Sequence, residues 1–236
     1  MVSRFRDPEG VARAAASAVV EAAFKATHER GDFHLVLAGG STPLRAYELL
    51  ASELRDEVDW RRVTFYFGDE RCVPPDHPDS NYNAAREVLF APLKVGSSRV
   101  RRIAGELAPA AAAADYDAEL QGLEAVRSPM FDLVLLGMGE EGHTASLFPG
   151  SPALAETVHR AVAVTVPKPP EHRVTLTPKA LASARQVLFL VTGEGKSEAL
   201  AAVFSDAENI PSALVAALAP SRFLVDEAAA SRLPSV

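Results

Sequence analysis

The chain alternates between two kinds of segment. Short apolar runs at Phe33–Leu37, Val63–Phe67, Leu133–Leu136, Ala161–Val166, Val187–Val191 and Phe223–Val225 are separated by helix-like stretches near Asn81–Phe90, Ala108–Leu123, Pro178–Ala184 and Gly195–Phe204. Strands that follow one another through helices need crossover connections, and the layout that satisfies them is a largely parallel sheet covered by helices, an α/β fold. The punctuation agrees. Asp7-Pro8 gives a capping side chain and a residue whose missing N–H costs nothing, Gly31 gives the stop, and a first helix is predicted over Pro8–Arg30. Ser41-Thr42-Pro43 repeats the cap-plus-proline signal before a second helix over Leu44–Leu54.

The Ala-rich stretch from Val11 to Ala26 carries Arg13, Glu21 and Lys25 where a signal-peptide core would be apolar, so it reads as an amphipathic helix. No window approaches the roughly 18 uncharged apolar residues of a membrane span. With 236 residues, 48% hydrophobic and 23% charged, the chain has length for a buried core, which excludes the disordered, collagen-like and disulfide-stapled classes. No repeat or low-complexity linker interrupts it, and one domain over residues 1–236 is expected. Lys plus Arg number 24 against 31 Asp plus Glu, a net charge of −7 that opposes non-specific attraction to nucleic acid or anionic lipid. Neither partner is expected, and any phosphate must be bound locally. The lone Cys72 suits a reducing compartment, with cytoplasm the default, and without a visible base it reads as a packed thiol. His28, His34, His77, His143, His159 and His172 lack metal-ligand spacing, so no metal and no cofactor is expected.

Open α/β sheets bind ligands beyond the carboxyl ends of their strands, which directs attention to the segments that follow strands. Gly39-Gly40-Ser41-Thr42-Pro43 has the outline of a phosphate cradle, with glycines that admit close approach and a helix start that offers unpaired N–H groups. It is neither a Walker loop nor a serine-hydrolase elbow. The plainer alternative is that Ser41 or Thr42 merely caps the helix. Gly68-Asp69-Glu70-Arg71 opens a long, proline-stiffened loop through Asn81, where two acids and an arginine form either a substrate-facing cluster or a solvated turn. Gly137-Met138-Gly139-Glu140-Glu141-Gly142-His143 satisfies GxGxxG, but two carboxylates would face a pyrophosphate and Pro149 and Pro152 cut short any following helix. A better use is a flexible loop presenting His143, an imidazole beside a carboxylate, as a general base near neutral pH. Arg173 and Lys196, at loop or strand ends, are either solvated charges or cations for a phosphate monoester. Lys168-Pro169-Pro170-Glu171 reads as an exposed loop.

Taken in order, Leu37 to Pro43, Gly68 to Arg71 with His77 to Asn83, Leu136 to Gly139 with Gly142 to Gly150, and Arg173 to Leu176 with Lys196 beyond resemble the 6-phosphogluconolactonase family, part of a wider group with glucosamine-6-phosphate deaminases. The resemblance spans nearly the whole chain and implies a Rossmann-like, sugar-phosphate isomerase-like fold with an open, mostly parallel sheet and helices on both faces. It implies metal-independent hydrolysis of 6-phospho-D-glucono-1,5-lactone to 6-phospho-D-gluconate, the second step of the oxidative pentose phosphate pathway, by a monomer or weak homo-oligomer. An ester carbonyl needs a water deprotonated on attack and donors for the developing oxyanion, while a remote phosphate positions the lactone. On that basis His143 is the base with Glu141 beside it, Arg71 contacts the oxyanion or ring oxygen, Asp69 holds sugar hydroxyls, and Gly40, Ser41, Thr42, Arg173 and Lys196 hold the phosphate. The family usually has Asp where this chain has Glu141. A rival reading is an amino-sugar-6-phosphate deaminase, but there the loop after Gly-His runs toward Asn-Glu-Pro, and here Leu147-Phe148-Pro149 lacks the acid. A non-catalytic phosphosugar-binding module is the third, and it would need a DNA-binding segment that the stretch before Phe33, read as one helix, leaves no room for.

Overall fold

A computed structural model of the chain describes residues 1–205 and 210–234. In chain order it forms β1 (Val2–Phe5), α1 (Pro8–Arg30), β2 (Phe33–Leu37), α2 (Ser41–Ala51), β3 (Val63–Phe67), β4 (Asp69–Arg71), α3 (Asn81–Ala85) and α4 (Ala91–Leu93). The second half adds α5 (Pro109–Val126), β5 (Leu133–Gly137), β6 (Ala161–Thr165), β7 (His172–Leu176), α6 (Pro178–Ala182), β8 (Val187–Val191), α7 (Ser197–Val203), α8 (Pro211–Leu218) and β9 (Ser221–Asp226). A 6-stranded sheet has the order β1-β9-β8-β5-β2-β3, and every pairing in it is parallel. All residues of β2, β3 and β8 are buried, and since neighbouring side chains on a strand point to opposite faces, both faces of the sheet are covered.

The predicted α/β class is therefore what forms, and its first helix starts and stops where its signals lie. Asp7 accepts from the Gly10 N–H, and Gly31 ends α1 at φ 89°. The side chains it buries, Val11, Ala12, Ala15, Ala16, Val19, Ala23 and Ala26, recur at helical spacing, which is why so alanine-rich a helix can lie close against the sheet and α2.

Other expectations need correction. Ala161–Val166 is not part of the parallel sheet: β6 belongs to a separate 3-stranded antiparallel sheet, β4-β7-β6, and its alternating exposure marks it as an edge. The segment Asp69–Arg71, read as loop, is the strand that joins this small sheet to the main one, pairing with β7 so that Arg71 lies opposite Arg173. The second helix begins at Ser41 and ends at Ala51, earlier at both ends than predicted. β1, β7 and α8 fall outside the predicted elements.

Where β2 and β3 leave the sheet, two tyrosine hydroxyls take over the backbone pairing. Tyr47 Oη accepts from the Ala38 N–H at 2.9 Å and donates to the Ala38 carbonyl at 2.9 Å. Tyr116 Oη does the same for Phe67, at 3.0 and 3.1 Å. Both rings are buried, so the strand ends that carry the next loops are held from below. Replacing Tyr47 by Phe removes both hydrogen bonds from a half-buried peptide group, each worth about 0.5–1.5 kcal/mol net. Urea unfolding of Tyr47→Phe should show a stability loss of at least that order with an unchanged m value; an unmoved midpoint would mean the hydroxyl carries no such load.

Candidate active site

The loops after β2, β3, β5 and β8 open on the same side of the sheet, and β2 lies between β3 and β5, where the strand order runs in both directions from one point. That is where an α/β sheet leaves a crevice. A cleft of about 300 Å³ lies there, lined by Gly40, Ser41, Thr42, Asp69, Arg71, His143, Arg173 and Lys196. Every predicted site residue except Glu141 thus reaches one cavity, and Glu141 stands behind His143.

The cradle comes from α2. Gly40, at φ 102°, is its N-cap, and no side chain caps the helix, so the capping role considered for Ser41 and Thr42 is not what the structure shows. The first N–H groups of the helix remain for a ligand, with the positive end of the helix dipole behind them. Thr42 Oγ1 instead meets Thr192 Oγ1 at 2.7 Å, which ties α2 to the end of β8. Lys196 follows in the next loop, whose start is fixed by buried Asp226: both its carboxylate oxygens accept from the Gly193 N–H at 3.0 Å. Among the described residues Lys196 has no carboxylate partner.

On strand β4, Asp69 and Arg71 face one way and Glu70 the other. Asp69 is buried; Ser146 Oγ donates to its Oδ2 at 2.6 Å, and Asn81 Nδ2 reaches its backbone carbonyl at 2.9 Å and its Oδ1 at 3.3 Å. Arg71 donates to the Asp79 carbonyl, while its Nε is buried with no hydrogen-bond partner among the described residues. Glu70 is not part of a substrate-facing cluster. It points into the protein, where its oxygens accept from the N–H groups of Arg71, Asn81 and Tyr82, each at 2.8 Å, and from Ser80 Oγ at 3.0 Å. Burial pushes its carboxyl above the usual range, and those backbone donors pull it part of the way back.

Arg173 is more committed to the protein than its sequence context suggests. Its Nε donates to the Pro170 carbonyl at 3.0 Å, its Nη2 faces the carbonyls of Lys168 and Pro169 at 3.4 and 3.5 Å, and its Nη1 lies 4.0 Å from Asp69 Oδ2. Its charge reaches the cleft, but several of its donors are spent on the loop between β6 and β7.

His143 sits on a tight turn after β5, in which the Gly139 N–H donates to the His143 carbonyl at 2.8 Å and Thr144 Oγ1 donates to the Gly137 carbonyl at 2.8 Å. Its ring stacks on Phe148 with centroids 4.1 Å apart. Nδ1 lies 3.0 Å from Glu141 Oε2, an ion-pair distance without the alignment of a full hydrogen bond, and both atoms are shut off from solvent. Nδ1–H facing a carboxylate leaves the Nε2 lone pair as the basic site. Burial lowers the imidazole pKa below its ordinary value, Glu141 opposes that, and Lys168 adds to it. The Glu141 carboxyl, raised by burial, is brought down to about 2 because the Lys168 ammonium, its own backbone N–H and His143 outweigh that burial. The Cys72 thiol is pushed up by burial and by Glu70 and lies outside the cleft lining, in keeping with a packed thiol.

Sequence reasoning assigned no role to Ser146, Asn81, Thr192 or Lys168. Ser146 and Asn81 lie inside the motifs quoted above, whereas the 150-residue separation of Thr42 from Thr192 leaves no local signal.

The family model described as "Glucosamine-6-phosphate isomerases/6-phosphogluconolactonase" matches residues 6–223. A curated 6-phosphogluconolactonase of Mycobacterium tuberculosis is 36% identical over 241 residues, covering 98% of this chain and 97% of that one. One of Rattus norvegicus is 39% identical over 246 residues, covering 100% and 94%. Among solved structures, the 6-phosphogluconolactonase from Trypanosoma cruzi superposes with a TM-score of 0.88 at 30% identity, over 99% of this chain and 97% of that chain. A monomeric glucosamine-6-phosphate deaminase shares the fold with a TM-score of 0.84 at 22% identity, over 98% and 99% of the two chains. With strand-end loops that build this cleft and matches that run almost from end to end, the chain belongs to the glucosamine-6-phosphate isomerase/6-phosphogluconolactonase family.

Proposed function

We propose that the chain, acting as one domain, hydrolyses 6-phospho-D-glucono-1,5-lactone to 6-phospho-D-gluconate in the oxidative pentose phosphate pathway. One observation carries the reading: a single cleft holds a carboxylate-backed imidazole together with a helix N-terminus and a lysine that has no carboxylate partner among the described residues. The 36–39% identity to curated lactonases along nearly the whole chain supports the same substrate.

The chemistry follows from the geometry. The phosphate sits on the Ser41 and Thr42 N–H groups with Gly40 beneath and Lys196 beside it, which places the lactone ring toward Asp69 and His143. Water attacks C1 while His143 Nε2 takes its proton, and the imidazolium that forms is stabilised by Glu141. The Arg71 guanidinium, which lines the cleft, is a donor for the oxygen that gains charge, an interaction stronger in the transition state than in the ground state. Collapse of the tetrahedral intermediate breaks the bond from C1 to the ring oxygen, and His143 returns the proton to that oxygen. Asp69, fixed by Ser146 and Asn81, keeps lone pairs for sugar hydroxyls. No step calls for a metal ion.

The deciding assay uses freshly generated lactone, corrected for spontaneous hydrolysis, in buffer containing a chelator, with glucosamine-6-phosphate in parallel. Lactone turnover without ammonia release is expected; ammonia release from the amino sugar would favour the deaminase instead.

His143→Asn should lower kcat by about 10²–10⁴-fold, the usual contribution of a general base, while competitive inhibition by 6-phosphogluconate persists. In the wild-type enzyme the acid limb of kcat/KM should lie below the ordinary imidazole value of about 6.5, because burial disfavours the charged ring. Retention of near-wild-type kcat by His143→Asn would move the base elsewhere.

The two cations separate in a substrate comparison. Charge-assisted contacts are worth roughly 1.5–3 kcal/mol, so Lys196→Ala should cost about 10–150-fold in kcat/KM on the phosphorylated lactone and almost nothing on unphosphorylated gluconolactone. Arg173→Ala should reduce turnover of both substrates, because its loss frees the Lys168–Pro170 carbonyls and a neighbour of Asp69. Selective loss on the phosphorylated substrate alone would instead make Arg173 a pure phosphate contact.

A further inference from the structure

Building on the assignment of His143 as the base, we infer that Lys168 is a positioning residue that acts on the imidazole through Glu141, occupying the outer oxygen of the carboxylate and counterweighting its charge. Lys168 Nζ lies 2.7 Å from Glu141 Oε1, and the other oxygen of the same carboxylate faces His143 Nδ1 at 3.0 Å. The ammonium also lies 5.7 Å from the centroid of the Phe148 ring, on which His143 stacks. Lysine, carboxylate, imidazole and phenyl ring thus form one contiguous group.

The lysine is held where it can act. It projects from the hairpin between β6 and β7, whose backbone is pinned by Arg173 through the carbonyls of Lys168, Pro169 and Pro170. The loop that reads from sequence as merely exposed therefore connects a cleft arginine to the partner of the base. Glu141 by itself would bind the imidazolium form of His143 more tightly than the neutral form, which suits proton acceptance but holds the proton too long at mildly acidic pH. A cation on the far oxygen weakens that pull while keeping the carboxylate in place. Among the described residues, the charged groups that face His143 are Glu141 on its own loop, Lys168 on the hairpin and Asp69 on β4, with Arg71, Arg173 and Lys196 lining the same cleft.

The test follows the His143 ring resonance by NMR titration of the substrate-free protein, assigned by its loss in His143→Asn, alongside kcat/KM against pH. Lys168→Met should move the titration to higher pH, since a cation is removed while Glu141 keeps its own backbone N–H, and activity should fall several-fold on the acid side. Lys168→Arg should restore both readouts, and Glu141→Gln should shift the titration to lower pH. Circular dichroism establishes that each variant is folded. A His143 titration in Lys168→Met that stays put or moves down overturns the inference, as does a raised KM with an unmoved acid limb, which would make Lys168 a substrate contact. A titration that moves as expected without the acid limb following upholds the coupling and removes His143 as the base.

Discussion

A buried carboxylate with no ion-pair partner among the described residues holds the site together. Glu70, 3% exposed, takes its compensation from three backbone N–H groups and one serine hydroxyl, all from the two ends of the loop that runs from β4 to α3. Leaving even one of those donors unpaired in the interior would cost about 1–3 kcal/mol, so the loop can close in few other ways. Because neighbours on a strand alternate, fixing Glu70 inward turns Asp69 and Arg71 outward together, onto the cleft. The same closure brings Asn81 back against Asp69. Three residues of the proposed site are thus placed by a fourth that never reaches the substrate.

The cleft concentrates positive charge in a protein that is negative overall. Arg71, Arg173 and Lys196 gather around a helix start, although acids outnumber bases across the chain. Such an arrangement favours a small dianion entering a confined crevice and does little for an extended polyanion, which the net charge of −7 would repel. The cations also differ in what they can give. Lys196 has no carboxylate partner among the described residues, whereas Arg173 spends donors on three carbonyls and stiffens the hairpin that carries Lys168.

Those parts of the fold whose signals are local were legible in the sequence. Asp7-Pro8 and Gly31 bound α1 correctly because capping and φ preferences act within a turn, and the strands buried on both faces announced themselves as continuous apolar runs. β4 was not legible, since Asp-Glu-Arg carries no apolar pattern and becomes a strand only by pairing with β7. β6 was seen as a strand but placed in the wrong sheet, because its pairing partner is decided by the hairpin and not by its own composition. In the site, His143 and Glu141 lie two positions apart and could be read together. Lys168 and Ser146 could not, because their partners, Glu141 and Asp69, lie far away along the chain and nothing in a linear pattern encodes the meeting.

The glycines after β5 show how one pattern can arise from different physics. Spaced as GxGxxG, they match the dinucleotide signature, in which glycines make room for a pyrophosphate. Here a Cβ at Gly139 would lie 1.9 Å from His143 Nδ1 and 2.5 Å from Glu141 Oε2, so the space is taken by the imidazole proposed as the base and by its carboxylate partner. Gly142 adopts φ 80°, which a side chain would resist, and that turn swings His143 back over Gly139. Ala145, at φ 48°, lies in the left-handed region three residues after Gly142 and lines the cleft, a local strain borne where the loop re-enters the structure. The loop is shaped around an imidazole, and its resemblance to a nucleotide cradle follows from the shared need for backbone to pass close to something large.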